Sequence, residues 1–488
     1  MRRLAVLGVV LLAFCLAGFN VSGAEGLALP ADKILRISRT MVEFEHHGFL
    51  PISEDVQVFQ YWEGEGVTIP LDAVKVGFEE VVACIYQGEV VCFDVYDPLY
   101  IRTMRVAIST DRFAALEHEE LSFSPTSQLY VEEKGTGRGF LIGPGEETVI
   151  FVRAGRLHAV DGQGNTWEFD QRLHIFSDTD GLIQINSFQR GTGKTFYPRY
   201  RGRFELTVAG EKSFLAINEV SLEDYLYQVV PSEMPHSWPL EALKAQAVAA
   251  RTYAVAQAVY SRQGHLGFHV ADSTSSQVYN NQPEAASCAR AIDETAGQIL
   301  AKSDGTVTST YFFSTSPGTV LTERKSWEDR TGLVLEGNSP WFRWKCTFTQ
   351  GELENLFQLG EVSGVQVGAR DEAGRVTQLI VSGAQGEVCI EGELNIRRAL
   401  RPSGLARISD SLGPQSLLPS ALFFIEEERG VEGRLRSVTL YGGGSGHNLG
   451  MSQWGAKGMA EAGYDYLSIL EKYYPESHII TYSEQLRY

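Results

Sequence analysis

The stretch from Leu240 to Tyr260 constrains the fold of this chain more than any other, because alanine dominates it. Leu243, Ala247, Ala250 and Ala254 recur at the spacing of one helical face. A helix is therefore expected to begin near Ser237-Trp238-Pro239 and to run to about Tyr260. Side chains this small let neighbouring backbones come close, so the helix belongs at the buried centre of its domain. Gln246 and Arg251 interrupt the apolar pattern, and buried polar groups require partners. An ion pair with Glu233 or with a neighbouring acid would satisfy Arg251.

Just upstream, Glu233 lies between Pro231 and Pro235. Ser221 and Asp224 offer a capping box for a short helix that Pro231 is expected to end, since proline lacks an amide proton and clashes with the preceding turn. A carboxyl at this junction, with Met234 and Trp238 nearby, would be partly desolvated. Desolvation raises a carboxyl pKa and suits a proton donor near neutral pH. The plainer alternative is a capping or loop acid.

The fold class expected is α+β: a β-rich amino-terminal half, then a mixed α+β domain with a buried Ala-rich helix and an inserted β-rich lobe. Residues 25–101 form a β-rich extension, clearest at Val81–Tyr86 and its return Glu89–Val95, and end at Asp97-Pro98. Residues 102–200 continue with short strands such as Met104–Ile108 and Thr148–Val152, separated by Gly, Asp and Asn clusters. From 201 the pattern mixes. A hairpin spans Gly210, Val307–Phe313 reads as a strand leading into Ser314-Thr315-Ser316-Pro317-Gly318, and the inserted lobe covers about 349–437. Thr439–Tyr441 is a last strand before the glycine-rich segment Gly442–Met451, and two helices split by Gly463 follow. The glycines fit no phosphate-binding loop, for no Lys-Ser or Lys-Thr pair follows them. They suit close approach of the main chain to a ligand or to the Ala-rich helix, with His447 inside that approach.

Arg2 and Arg3, an apolar run from Leu4 to Phe19 and the small residues before Ala24 describe a secretory signal over residues 1–24. The expectation is an extracytoplasmic protein, in periplasm or cell wall, with an uncleaved anchor as the alternative. The formal charge of −19 argues against nucleic acid as a partner. Of six cysteines, five remain beyond the signal, an odd number that rules out a complete disulfide framework. A tight two-residue turn at Gln87-Gly88 would put Cys84 and Cys92 on opposite faces, whereas a three-residue loop would set them opposite each other, so a bridge stays open. His265 and His269 have i, i+4 spacing, but Gly264 and Gly267 speak against a metal-binding helix.

Three ordered motifs, Val220–Leu226, Val230–Pro235 and Leu243–Tyr253, closely resemble the stage II sporulation protein D family. So do Gly446–Ala456, Gly458-Met459-Ala460 and Tyr473-Tyr474-Pro475. The resemblance covers roughly residues 102–480. It implies a peptidoglycan lytic transglycosylase, which cleaves between N-acetylmuramic acid and N-acetylglucosamine and leaves a 1,6-anhydro end. Glu233 takes the place of the catalytic acid, while His447, Arg251, Ser314 and Gln453 are expected to line the groove. No cofactor is implied. The partners are glycan strands. The alternative is a non-catalytic, wall-binding modifier that stimulates an amidase. Where some relatives carry a zinc-associated Cys and His segment, this chain reads His269–Tyr279 without cysteine, so no zinc and no other metal is expected in this protein. Asn448-Leu449 and Ser314–Gly318 also depart from the family pattern.

Overall fold

The computed structural model describes residues 26–62, 65–96, 101–170, 172–177, 179, 181–191, 194–260, 263–318, 320–321, 327–328, 335–402, 406–407 and 416–482. The signal segment lies outside these. The described residues form an α+β structure rich in strands, divided into two units. One takes in the described residues up to 96 together with 263–268, and the other takes in the rest.

The smaller unit is a seven-stranded sheet built around the long strand Gly48–Trp62. Its first part pairs antiparallel with Met41–Phe44, and its later part runs parallel beside Glu89–Val95. The hairpin Val81–Tyr86/Glu89–Val95 turns through Gln87 and Gly88, both with positive φ. This two-residue turn pairs Tyr86 with Glu89 and Ile85 with Val90. A register shift then leaves Val91 over, so that Cys84 faces Cys92. The tight turn does not put the cysteines on opposite faces as expected. A β-bulge absorbs the odd residue and restores the pairing.

The larger unit begins with two sheets, one of six strands with Leu121, Phe123 and Ile150 buried and one of eight with Val131, Ile175 and Phe204 buried, and the rings of Phe123 and Phe204 meet at 5.5 Å. Arg105 is fully buried in this part and pairs with Glu205 at 2.8 Å and Glu219 at 2.5 Å. Arg172 pairs with Glu205 as well. The sheets lead into the helix Leu222–Glu233, and then into the Ala-rich helix Leu240–Tyr260. Every alanine of the latter is buried. Helices Leu222–Glu233, Ala286–Glu294, Gln453–Glu461 and Tyr466–Tyr473 all pack on it.

Pro231 does not end the first helix. It lies inside it, and the helix closes two residues later with Met234 N–H donating to Val230 O at 2.9 Å. Nor is Val307–Phe313 one strand: Val307 makes an isolated antiparallel bridge with Ala301, and Phe312–Phe313 is a short strand parallel to Met451–Ser452. Upstream, Thr308 N–H bonds Leu300 O and the Thr310 hydroxyl donates to Ala249 O, so this segment is tied to its neighbours piecemeal. The lobe, together with the strands Trp344–Thr349 and Leu435–Gly442 that bracket it, forms a four-stranded and a three-stranded sheet over an apolar core that includes Trp344, Phe348, Leu379 and Phe423.

Candidate active site

Glu233 is the last residue of its helix, half-buried, and held by parts of the chain far apart in sequence. Its Oε1 accepts the Val278 amide at 2.6 Å. Gln453, the first residue of the helix Gln453–Glu461, donates from Nε2 to the Glu233 carbonyl at 3.0 Å, and its amide also acts on the carboxyl. Gln453 Nε2 further reaches Gln246 Oε1 at 3.4 Å, and Gln246 projects from the Ala-rich helix. Burial pushes the Glu233 pKa up to about 7, against the opposing pull of these two hydrogen bonds. The result is a carboxyl that is half protonated near neutral pH and able to give or take a proton. Gln246 Nε2 is buried without a partner among the described residues, a donor left over beside this carboxyl.

The surrounding shell is aromatic. Tyr225 is fully buried and donates to Gln277 Oε1 at 3.1 Å, while Gln277 donates to Ala250 O at 3.2 Å. The field of Glu233 contributes to raising the phenol pKa of both Tyr225 and Tyr253, after burial. From Tyr253 a run of rings leads outward: Tyr311 lies 6.0 Å from Tyr253, and His447 lies 6.0 Å from Tyr311 and 5.7 Å from Phe313.

His447 sits in the glycine-rich loop, as the sequence requires, but its ring is engaged with main chain. Nδ1 accepts from Leu449 N–H at 3.1 Å, and the ring also bonds the Phe312 backbone. Burial lowers its pKa, so the imidazole is neutral at pH 7. Arg375 of the inserted lobe grips its carbonyl at 2.7 Å. The close approach that the glycines allow is to segment 311–315 and not to the Ala-rich helix. A Cβ at Gly450 would stand 1.9 Å from Tyr311 O, and one at Gly446 2.7 Å from Phe313 Cβ.

Ser314 is brought to the same region, with its carbonyl accepting Trp454 N–H at 3.0 Å and its hydroxyl 3.1 Å from that of Thr315. Arg251 is not. It is fully buried and bidentate to Glu223 at 2.7 Å for both contacts, with further bonds to Gln298 O and Ile292 O. The expected groove-lining role is corrected to that of a structural ion pair, whose acid is Glu223 and not Glu233. Sequence reading also passed over Val278, because a backbone amide leaves no mark in residue type. Gln246 carried a signal, a polar residue on an otherwise apolar helix.

The sequence profile described as Stage II sporulation protein matches residues 210–301, which contain Glu233, the Ala-rich helix and Val278. An uncharacterized protein of Brachyspira hyodysenteriae is 32% identical over 286 residues, 56% of this chain and 70% of that protein. Stage II sporulation protein D of Bacillus subtilis is 29% identical over 287 residues, 54% of this chain and 76% of that protein. The chain belongs to the stage II sporulation protein D family. An amidase enhancer of Bacillus subtilis is also similar, 28% identical over 290 residues, 52% of this chain but only 40% of that protein's length. A domain of unknown function, DUF8618, matches residues 329–450. That span takes in the lobe and the His447 loop of this member of the sporulation protein D family.

Proposed function

We propose that this protein is an exported lytic transglycosylase of peptidoglycan, with Glu233 as its acid and base. The observation that carries the reading is the half-buried Glu233 carboxyl, with its pKa pushed up to about 7. As an acid, Glu233 protonates the glycosidic oxygen between N-acetylmuramic acid and N-acetylglucosamine, and the C1–O bond breaks. As a carboxylate it then takes the proton of the 6-hydroxyl of the muramic sugar while that oxygen bonds C1, giving the 1,6-anhydro ring and returning the acid form. No water is consumed. A hydrolase of the usual type needs a second carboxylate to act as nucleophile or to activate water, and among the described residues the influences on the Glu233 pKa are burial, Val278 and Gln453.

The amidase enhancer among the relatives supports a second reading, in which the chain binds cell wall and stimulates an amidase without cutting glycan. Digestion of purified peptidoglycan, with and without stem peptides, followed by mass spectrometry of the sugars separates the two. Anhydro ends that vanish in Glu233→Gln are the expected result. Reducing ends indicate hydrolysis and overturn the transglycosylase reading. Intact strands, with faster cleavage once an amidase is added, establish the modifier.

A further inference from the structure

The smaller unit gathers four donor groups on one face of its sheet. The bulge at Val91 sets Cys84 opposite Cys92, and Asp94, two residues on, projects to the same side as Cys92. On the parallel neighbour, Phe59 is the partner of Asp94, so Tyr61 shares that face. The Tyr61 hydroxyl hydrogen-bonds Asp94, and its ring stacks on Tyr96 at 5.1 Å. Cys92 Sγ is 3.6 Å from Asp94 Oδ1, and one ligand atom from each of Cys84, Cys92 and Asp94 falls within 4.8 Å of the others.

The Cys92–Asp94 separation suits a shared metal ion as well as it suits a thiol hydrogen bond. Zinc–sulfur bonds of about 2.3 Å and zinc–oxygen bonds of about 2.0 Å, at a tetrahedral angle, hold sulfur and oxygen about 3.5 Å apart. Burial adds a second argument. Asp94 is 4% exposed and Cys84 2% exposed, yet the side chains bonded to the Asp94 carboxyl are the Cys92 thiol and the Tyr61 phenol, with no cation among them. A carboxylate withdrawn from water needs a positive partner or a proton.

We propose that Cys84, Cys92 and Asp94 bind one zinc ion, with the Tyr61 oxygen or a water in the fourth position. Two thiol protons leave on binding, and two thiolates, one carboxylate and the divalent ion sum to a single negative charge. Two sulfurs with one oxygen suit zinc, a borderline-soft ion, better than calcium or magnesium, which take all-oxygen sets. The ion ties strands Val81–Tyr86 and Glu89–Val95 together and stabilises the unit as any ligand specific to the folded state does. The sequence expectation of no metal came from residues 265–279, and weighed Cys84 and Cys92 only as a bridge. This site lies outside the family match and does not depend on the activity of Glu233.

The test uses the full chain, purified without chelator. Elemental analysis is expected to find one zinc per chain, and intact mass under denaturing conditions to find Cys84 and Cys92 as free thiols. Cobalt exchanged into the site should show thiolate charge transfer and the strong visible bands of tetrahedral geometry, a readout that needs no variant to fold. Cys84→Ser, Cys92→Ser and Asp94→Asn should lose the metal, while Cys389→Ser keeps it. A chain two hydrogens lighter and free of zinc, its two thiols oxidised to a disulfide, overturns the proposal. So does zinc retained when both cysteines are replaced.

Discussion

Two carboxyls of the same unit, Glu233 and Glu205, end on opposite sides of the ordinary carboxyl pKa. Burial raises both. At Glu205 the guanidinium groups of Arg105 and Arg172, with His174 at 3.8 Å, more than reverse it and hold the carboxyl well below the usual range. At Glu233 only two neutral amides oppose burial, and the pKa stays near 7. Depth therefore does not decide what a buried acid does. The charge of its company does: the eight-stranded sheet holds Glu205 as a fixed charge, and the helix junction leaves Glu233 with a proton to give.

The two sites should respond to pH with opposite signs. The depressed pKa of Glu205 contributes stability in full above the unfolded value near 4.5, lost as pH falls toward its folded pKa. The raised pKa of Glu233 does the reverse, so stability declines as pH rises from about 4.5 through about 7.

The largest expected effect comes from breaking the paired side. Arg105→Met removes the fully buried cation shared by Glu205 and Glu219, leaving Arg172 and Arg203 as their remaining partners, and should cost about 3 kcal/mol in urea unfolding at pH 7. Glu233→Gln should lower glycan cleavage by roughly 10²–10⁴-fold. The same variant should melt higher than the parent at pH 8, with the gap closing near pH 4; equal melting at every pH would sink the claim of a strained carboxyl. Giving Glu233 a cation makes it resemble Glu205. Gln453→Arg is expected to lower its pKa by roughly 1–3 units, so that the loss of activity with rising pH sets in earlier in the pH–rate profile. Smallest is Arg251→Lys, which exchanges the two-pronged bond to Glu223 for a single one. It should cost about 1–2 kcal/mol of stability and leave the pH–rate profile where it was. A moved profile would mean that Arg251 acts on Glu233 after all.

Local pattern carried much of the fold. The Ala-rich helix was legible because small residues at helical spacing have few other uses, and the hairpin Val81–Val95 because turn residues separate two apolar runs. The helix Ala286–Glu294 was missed although Cys288, Ala291 and Ile292 mark its buried face, and its cap at Ala285 offers no side-chain signal. Pro231 misled because its effect depends on position: near the end of a helix there is little left to disrupt, and Ser232 returns a hydroxyl bond to Gln228 O at 2.6 Å. At the site, Glu233 and Gln453 could be named from motifs. Which acid Arg251 meets could not, since that is settled by how two helices rotate against each other. The bulge at Val91 was hidden for a similar reason, for turn chemistry fixes where a hairpin starts and not where one strand slips.

The bond from Gln453 to Glu233 spans 220 positions. The contacts that fix the acid are thus completed only when the helix Gln453–Glu461 docks beside the Ala-rich helix. A chain that stops short of Gln453 lacks that contact and, with it, the downward pull it exerts on the carboxyl.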